Sequence, residues 1–174
     1  MRIFWILRLR LYAFIFGSAK FLGYFGKPIF IKGWKKIFLG KDVRIFPGAR
    51  FEVLGSGKIT IGDYVKSGHN LFLTTTNCDI SIGKYSILSA NVFIGTQKSN
   101  LFENRENYDS LWFDKDIKET SVIIGERCFI GYGAVILPGT RLGNCCVVGA
   151  NAIVKGDFAD NTVIASPKFD ILDL

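Results

Sequence analysis

Between residues 124 and 155 an aliphatic side chain recurs at every sixth position: Ile124, Ile130, Ile136, Leu142, Val148 and Val154. A helix brings side chains to one face every 3.6 positions and a strand every 2, so a period of six belongs to neither alone. It suits a chain that repeats one short strand and one turn. The same count runs backwards through Leu39, Ile45 and Phe51, then Ile61, Ser67 and Leu73, then Ile82, Leu88 and Ile94. Four positions after most of these stands a second, usually small residue: Val43, Ala49, Val65, Leu71, Ser86, Val92, Cys128, Ala134, Thr140, Cys146 and Ala152.

The count breaks three times, at "VLGSGKIT", at "TTTNCDIS" and over the long stretch from Thr96 to Ser121. Each break follows the third hexad of a set. Three hexads therefore make one coil with three flat sides, and extra residues are tolerated at one recurring corner. Glycine recurs just after the aliphatic residue, as in Gly62, Gly83, Gly125 and Gly143, where the chain must turn tightly. The aliphatic residues point inward and stack on their counterparts one coil away. No coil buries its own face; stacking makes the core. The prediction is an all-β protein of about five coils, a prism roughly 24 Å tall at about 4.8 Å per coil.

Charge divides the chain. Nine of the 22 Lys and Arg lie between Met1 and Lys41, with no acid among them; the remainder holds 13 bases against all 15 acids. An excess gathered at one end suits contact with an anionic surface such as lipid headgroups, and nothing resembles a nucleic-acid-binding module. The opening "MRIFWILRLRLYAFIFGSAKFLGYFG" is apolar, but Arg8, Arg10 and Lys20 interrupt it before the roughly 20 residues a spanning helix needs. It also lacks a small-residue cleavage site. Residues 1–38 are expected to form a basic amphipathic helical segment lying in a membrane interface, or else packed on the body or a sister subunit. Cys78, Cys128, Cys145 and Cys146 show neither metal nor disulfide spacing and read as reduced thiols of a cytosolic protein.

The repeat [LIV]-G-x-x-[small]-x, densest over Ile124–Lys155, resembles the hexapeptide-repeat acyltransferases. The resemblance covers Leu39 to Pro167, and "ASPK" at 165–168 looks like a shortened closing segment without its glycine. It implies a left-handed parallel β-helix over residues 39–167, with a protruding loop at 96–121 and a tail at 168–174. The basic start and short body look most like acetyltransferases of bacterial surface glycans. The resemblance further implies a homotrimer with acetyl-CoA in the groove between neighbouring prisms, a sugar acceptor, no metal, and a cytoplasmic location on the inner face of the plasma membrane.

In that family a histidine near the start of the loop deprotonates the acceptor hydroxyl, which attacks the thioester. A sugar hydroxyl is scarcely ionised near neutrality, so a base is needed, and histidine is the side chain that titrates there. Here the matching stretch reads Gln97-Lys98-Ser99-Asn100, and the only histidine, His69, lies a coil earlier. His69 is the candidate base, with a water held by Gln97 and Ser99 as the alternative; an ordinary turn histidine is the plainer reading. Asn70 matches an asparagine that faces the family's active site. Gly131, Tyr132, Gly133, Gly149 and Ala150 occupy the cofactor-arm positions, with Tyr132 narrowing a groove that is commonly open. Lys155 and Lys168 are candidates for the CoA phosphates. In the loop, Tyr108 and Trp112 are candidates for acceptor contact, against an excursion whose aromatics pack on the prism.

Two other readings stand beside O-acetylation: a non-catalytic β-helix trimer acting as a scaffold, favoured by the displaced histidine, and a nucleotide-sugar N-acyltransferase. The carbonic anhydrases built on the same prism need three zinc-binding histidines, which this chain lacks. Ice-binding β-helices carry flat threonine arrays, and Thr74–Thr76 is the only short run.

Overall fold

The computed structural model describes residues 23–97 and 119–165. Within them nineteen short strands, all paired in parallel, build three sheets of seven, six and six strands. Each sheet takes every third strand, so the chain winds through the three sides of a prism in turn. Sheet A contains β1 (Tyr24–Phe25), β4 (Arg44–Ile45), β7 (Lys66–Ser67), β10 (Ile87–Leu88), β13 (Phe129–Ile130), β16 (Val147–Val148) and β19 (Val163–Ile164). Sheet B contains β2 (Phe30–Lys32), β5 (Arg50–Val53), β8 (Phe72–Thr75), β11 (Phe93–Gly95), β14 (Val135–Ile136) and β17 (Ile153–Val154). Sheet C contains β3 (Ile37–Leu39), β6 (Ile59–Ile61), β9 (Ile80–Ile82), β12 (Val122–Ile124), β15 (Arg141–Leu142) and β18 (Asp157–Phe158). This is a parallel β-solenoid.

The period-six residues are the core. Leu73 pairs with Ile94, Ile94 with Ile136 and Ile136 with Val154, so sheet B presents one aliphatic column to the interior. Every small residue four positions on is buried as well, which makes two inward side chains per hexad. The five coils counted from Leu39 to Val154 are all present. The columns also continue past them: Phe25 and Ile31 extend them ahead, Phe158 and Ile164 behind. Among the described residues the prism therefore begins at β1, a coil before residue 39, and the strands between Tyr24 and Leu39 belong to the β-helix rather than to the basic segment. This coil is faint in the hexad count because only Phe25 and Ile31 precede its break at "KGWKK", and the small second residue after Phe25 is replaced by the exposed Ile29. The amphipathic helix expected before Gly23 and the C-terminal tail lie outside the described residues.

All insertions fall at the corner between sheets B and C, as the breaks in the count require. The neck of the long excursion is held there by an antiparallel bridge between Gln97 and Glu119. Thr120 N–H donates to the Thr96 carbonyl at 3.1 Å, and the buried Thr75 and Thr96 hydroxyls bond at 2.8 Å.

The small column at the corner between sheets C and A is a ladder of donors. Ser86 Oγ donates to the Gly125 carbonyl at 2.9 Å, and Cys128 Sγ to that of Gly143 at 3.1 Å. Cys146 Sγ continues it to the Ala159 carbonyl at 3.2 Å. Each of these three side chains so satisfies a turn carbonyl on the next coil. One position breaks the rule: Ser67, buried in the sheet A column between Ile45 and Leu88, has a hydroxyl without a partner.

Two measurements test this core. Ile136→Ala opens a cavity between fully buried neighbours and should destabilise by about 2–5 kcal/mol. A mutant that melts within a degree of wild type would show that the column is not the core. Burial pushes the Cys128 thiol up to about 11. An acid whose neutral form the fold favours contributes stability that is intact below its ordinary pKa, near 9, and is lost as pH rises through about 11. Wild type should therefore lose stability over that window relative to Cys128→Val, and parallel melting curves would contradict the assignment. A thiol reagent should label the exposed Cys145 on the native protein and reach Cys128 and Cys146 only on unfolding.

Candidate active site

The corner between sheets A and B is a run of turns, one per coil, that must each pass through left-handed backbone. Gly48, Asn70, Asn91, Gly133 and Asn151 take those positions, with φ between 57° and 88°. Asparagine and glycine are the residues that adopt this conformation at least cost. The turns are chained by backbone bonds: Asn91 N–H to the His69 carbonyl at 2.9 Å, Gly133 N–H to Ala90 at 3.0 Å and Asn151 N–H to Tyr132 at 2.7 Å. A side-chain ladder runs outside them. Asn70 Nδ2 donates to Asn91 Oδ1 at 2.9 Å, and Asn91 Nδ2 donates to the Tyr132 hydroxyl at 2.6 Å.

His69 stands on this edge, exposed, with its ring edge-on to Phe46 at 5.1 Å. The edge therefore gathers His69, Asn70, Gly131, Tyr132, Gly133, Gly149 and Ala150, seven of the site residues expected from sequence. Asn91 joins them. The signal for it was present, since Asn70 and Asn91 occupy the same place in successive coils, but the ladder needs side-chain directions that the repeat does not give.

Two expectations change. Gly131 is buried, and a Cβ there would lie 2.5 Å from the Ala150 nitrogen. Its lack of a side chain is thus required by the next coil, whatever lies outside. Tyr132 is 52% exposed and lies back along the edge, its hydroxyl fixed by Asn91, so it forms part of the wall.

Gln97 and Lys155 lie elsewhere, at the corner between sheets B and C. Gln97 Nε2 donates to the Thr76 hydroxyl, and Thr76 is separated from Asn70 by the whole of β8. At about 3.3 Å per residue, His69 and Gln97 are roughly 20 Å apart within one chain. The structure does not place them on the same side, because β8 and β11 both cross sheet B between them. Ser99, Tyr108, Trp112 and Lys168 lie outside the described residues. Among the described residues no group of three or more His, Cys, Asp or Glu is placed to hold a metal ion.

Residues 121–155 match the family model described as the hexapeptide repeat of succinyl-transferase. Over 148 residues the chain is 30% identical to WbbJ of Escherichia coli K12, named as a lipopolysaccharide biosynthesis O-acetyl transferase, covering 83% of this chain and 75% of the relative. It is 32% identical over 125 residues to WcaF of the same organism, named for colanic acid biosynthesis acetyltransferase, covering 72% of the chain and 62% of WcaF. Among solved structures, the N-acyltransferase AntD from Bacillus cereus, in complex with dTDP and 3-hydroxybutyryl-CoA, superposes with a TM-score of 0.72. The identity is 21%, with 91% of this chain and 82% of that one covered, so the likeness speaks for the fold. Repeat, fold and relatives agree: this chain belongs to the hexapeptide-repeat acyltransferase family.

Proposed function

We propose that this protein transfers the acetyl group of acetyl-CoA to a sugar hydroxyl in bacterial surface-glycan synthesis. One observation supports the assignment of residues above all: the Asn70–Asn91–Tyr132 ladder ties the corner of the only histidine to the corner expected to hold the cofactor arm. The relatives' names supply the reaction class.

His69 accepts the proton of the acceptor hydroxyl as its oxygen attacks the thioester carbonyl. The tetrahedral intermediate collapses to the sugar ester and expels the CoA thiolate, which takes the proton from the imidazolium. Tyr132 already accepts a hydrogen bond from Asn91, so its own O–H is available to a substrate oxygen. Gly149 and Ala150, one coil further along the edge, form the wall for the pantetheine arm.

The two separated clusters fit a trimer. In a ring of three the interface is heterologous, one patch of each copy against a different patch of the next. The edge bearing His69 then faces the loop edge of its neighbour, and Gln97 and Lys155 reach the groove from the second chain. The outer face of sheet B carries exposed apolar side chains for such packing, Phe30 at 45% and Ile153 at 71%, alongside the charged Lys32, Arg50 and Glu52. Among the described residues no helix is long and apolar enough to cross a membrane, and the basic segment is proposed to hold the trimer peripherally on the cytoplasmic face.

Two experiments follow. His69→Ala should lower acetyl transfer, read as CoA thiol release with candidate sugars, by roughly 10²–10⁴-fold while acetyl-CoA affinity is unchanged. Activity within a factor of two of wild type would remove His69 as the base. Full-length protein without turnover, yet still trimeric, would favour the scaffold. Deleting residues 1–22, which spares β1, should release the protein from anionic vesicles and leave the trimer intact. Full-length protein that ignores vesicles, with a truncated form that aggregates, would instead make the segment a packing element.

A further inference from the structure

Stacked coils set charged side chains directly opposite one another, and this chain nearly always opposes unlike signs. Lys32 lies across from Glu52 on sheet B, and Arg141 across from Asp157 on sheet C, the latter at 3.9 Å. At the corner between C and A, Lys84 pairs with Glu126 at 3.4 Å. Sheet A holds the exception. Arg44 and Lys66 are opposed on β4 and β7, both exposed, with no ion pair to either among the described residues. Like charges directly opposite destabilise a sheet.

The groove around them encloses about 340 Å³ and is lined by Asp42, Arg44, Tyr64, Lys66, Tyr85 and Ile87. Tyr64 and Tyr85 occupy left-handed corner positions, φ 60° and 61°, where Asp42 and Asn161 show the cheaper choice. Their rings stack in parallel at 4.9 Å, and Lys41 Nζ sits 5.8 Å from the Tyr64 ring. Two unopposed cations beside an aromatic and aliphatic wall form a site for an anion carried on an organic ring, with Asp42 the sole carboxylate on the rim. A phosphate answers both cations at once, and the arginine fork suits its oxygens.

The groove is close to the proposed base. Lys66 and His69 are three residues apart across the edge of sheet A, roughly 10 Å. We infer that Arg44 and Lys66 bind a phosphate group borne by the acceptor, holding its sugar across sheet A toward His69. This rests on the acetyl-transfer reading for the acceptor's role, but the phosphate site itself does not.

Calorimetry on the full chain separates the two. Glucose 1-phosphate should bind and glucose should not. Arg44→Gln and Lys66→Gln should each weaken binding roughly ten- to hundredfold, and added salt should weaken it further. Lys84→Gln, which alters a cation already paired, should leave binding unchanged. Without ligand, Lys66→Gln should melt above wild type at low salt, because the repulsion is relieved. A short-chain phosphatidylglycerol kept below its micelle concentration, which gives the basic segment no membrane to bind, distinguishes the phosphate's source: binding that is lost in Arg44→Gln and Lys66→Gln, with none to glucose 1-phosphate, assigns the site to a lipid-borne phosphate. Binding of glucose 1-phosphate without acetyl transfer to any sugar would leave the site standing and overturn the enzyme. Acetyl transfer that ignores the phosphate and survives both substitutions would overturn the site alone. So would probes that bind equally to wild type and both variants.

Discussion

Everything in this molecule depends on the in-register stacking of coils. A single coil has three strands of two to four residues and no layer opposite them, so its inward side chains are covered only by the coils above and below. Like therefore sits on like: Leu73 on Ile94 on Ile136 on Val154. The constraint reaches the backbone too. A Cβ at Gly131 or Gly68 would lie 2.5 Å from a nitrogen of the adjacent coil, so glycine at such corners is a condition of stacking.

Stacking also organises the surface. Residues at the same place in successive hexads become neighbours about 4.8 Å apart, and a repeat thereby turns into a ladder. At the corner between C and A, Lys41, Asp63, Lys84 and Glu126 alternate in sign along four coils. At the corner between A and B the ladder is of amides, ending on the Tyr132 hydroxyl. Departures stand out against such regularity. Among the described residues, Ser67 with its unpartnered hydroxyl, Arg44 beside Lys66, and the left-handed Tyr64 and Tyr85 are places where the chain accepts a cost that a conventional repeat residue would avoid.

The division of the site follows from the same geometry. Each flat side separates two corners, and the insertions are confined to one of them. Residues near a loop in sequence, such as Gln97, therefore stand a whole sheet away from residues on another corner, such as His69.

Spacing alone was enough to find the core and the winding of the chain, because a hexad count is a local rule: Leu39 to Val154, the small second residues and the insertion corner were all legible. The first coil was not, since it offers only Phe25 and Ile31 to the count and has the exposed Ile29 where a small buried residue recurs elsewhere. Of the site, His69 stood out as the only histidine, and Asn70, Tyr132 and the glycines around it came from the resemblance to the acyltransferase family. Which of them share an edge came from the three-dimensional fold, because that depends on the corner each hexad closes. The fold joined Asn91 to them through side-chain directions, separated Gln97 and Lys155, and set Arg44 beside Lys66. Those two cations are 22 residues apart in the chain and adjacent only because one full coil, insertion included, lies between them.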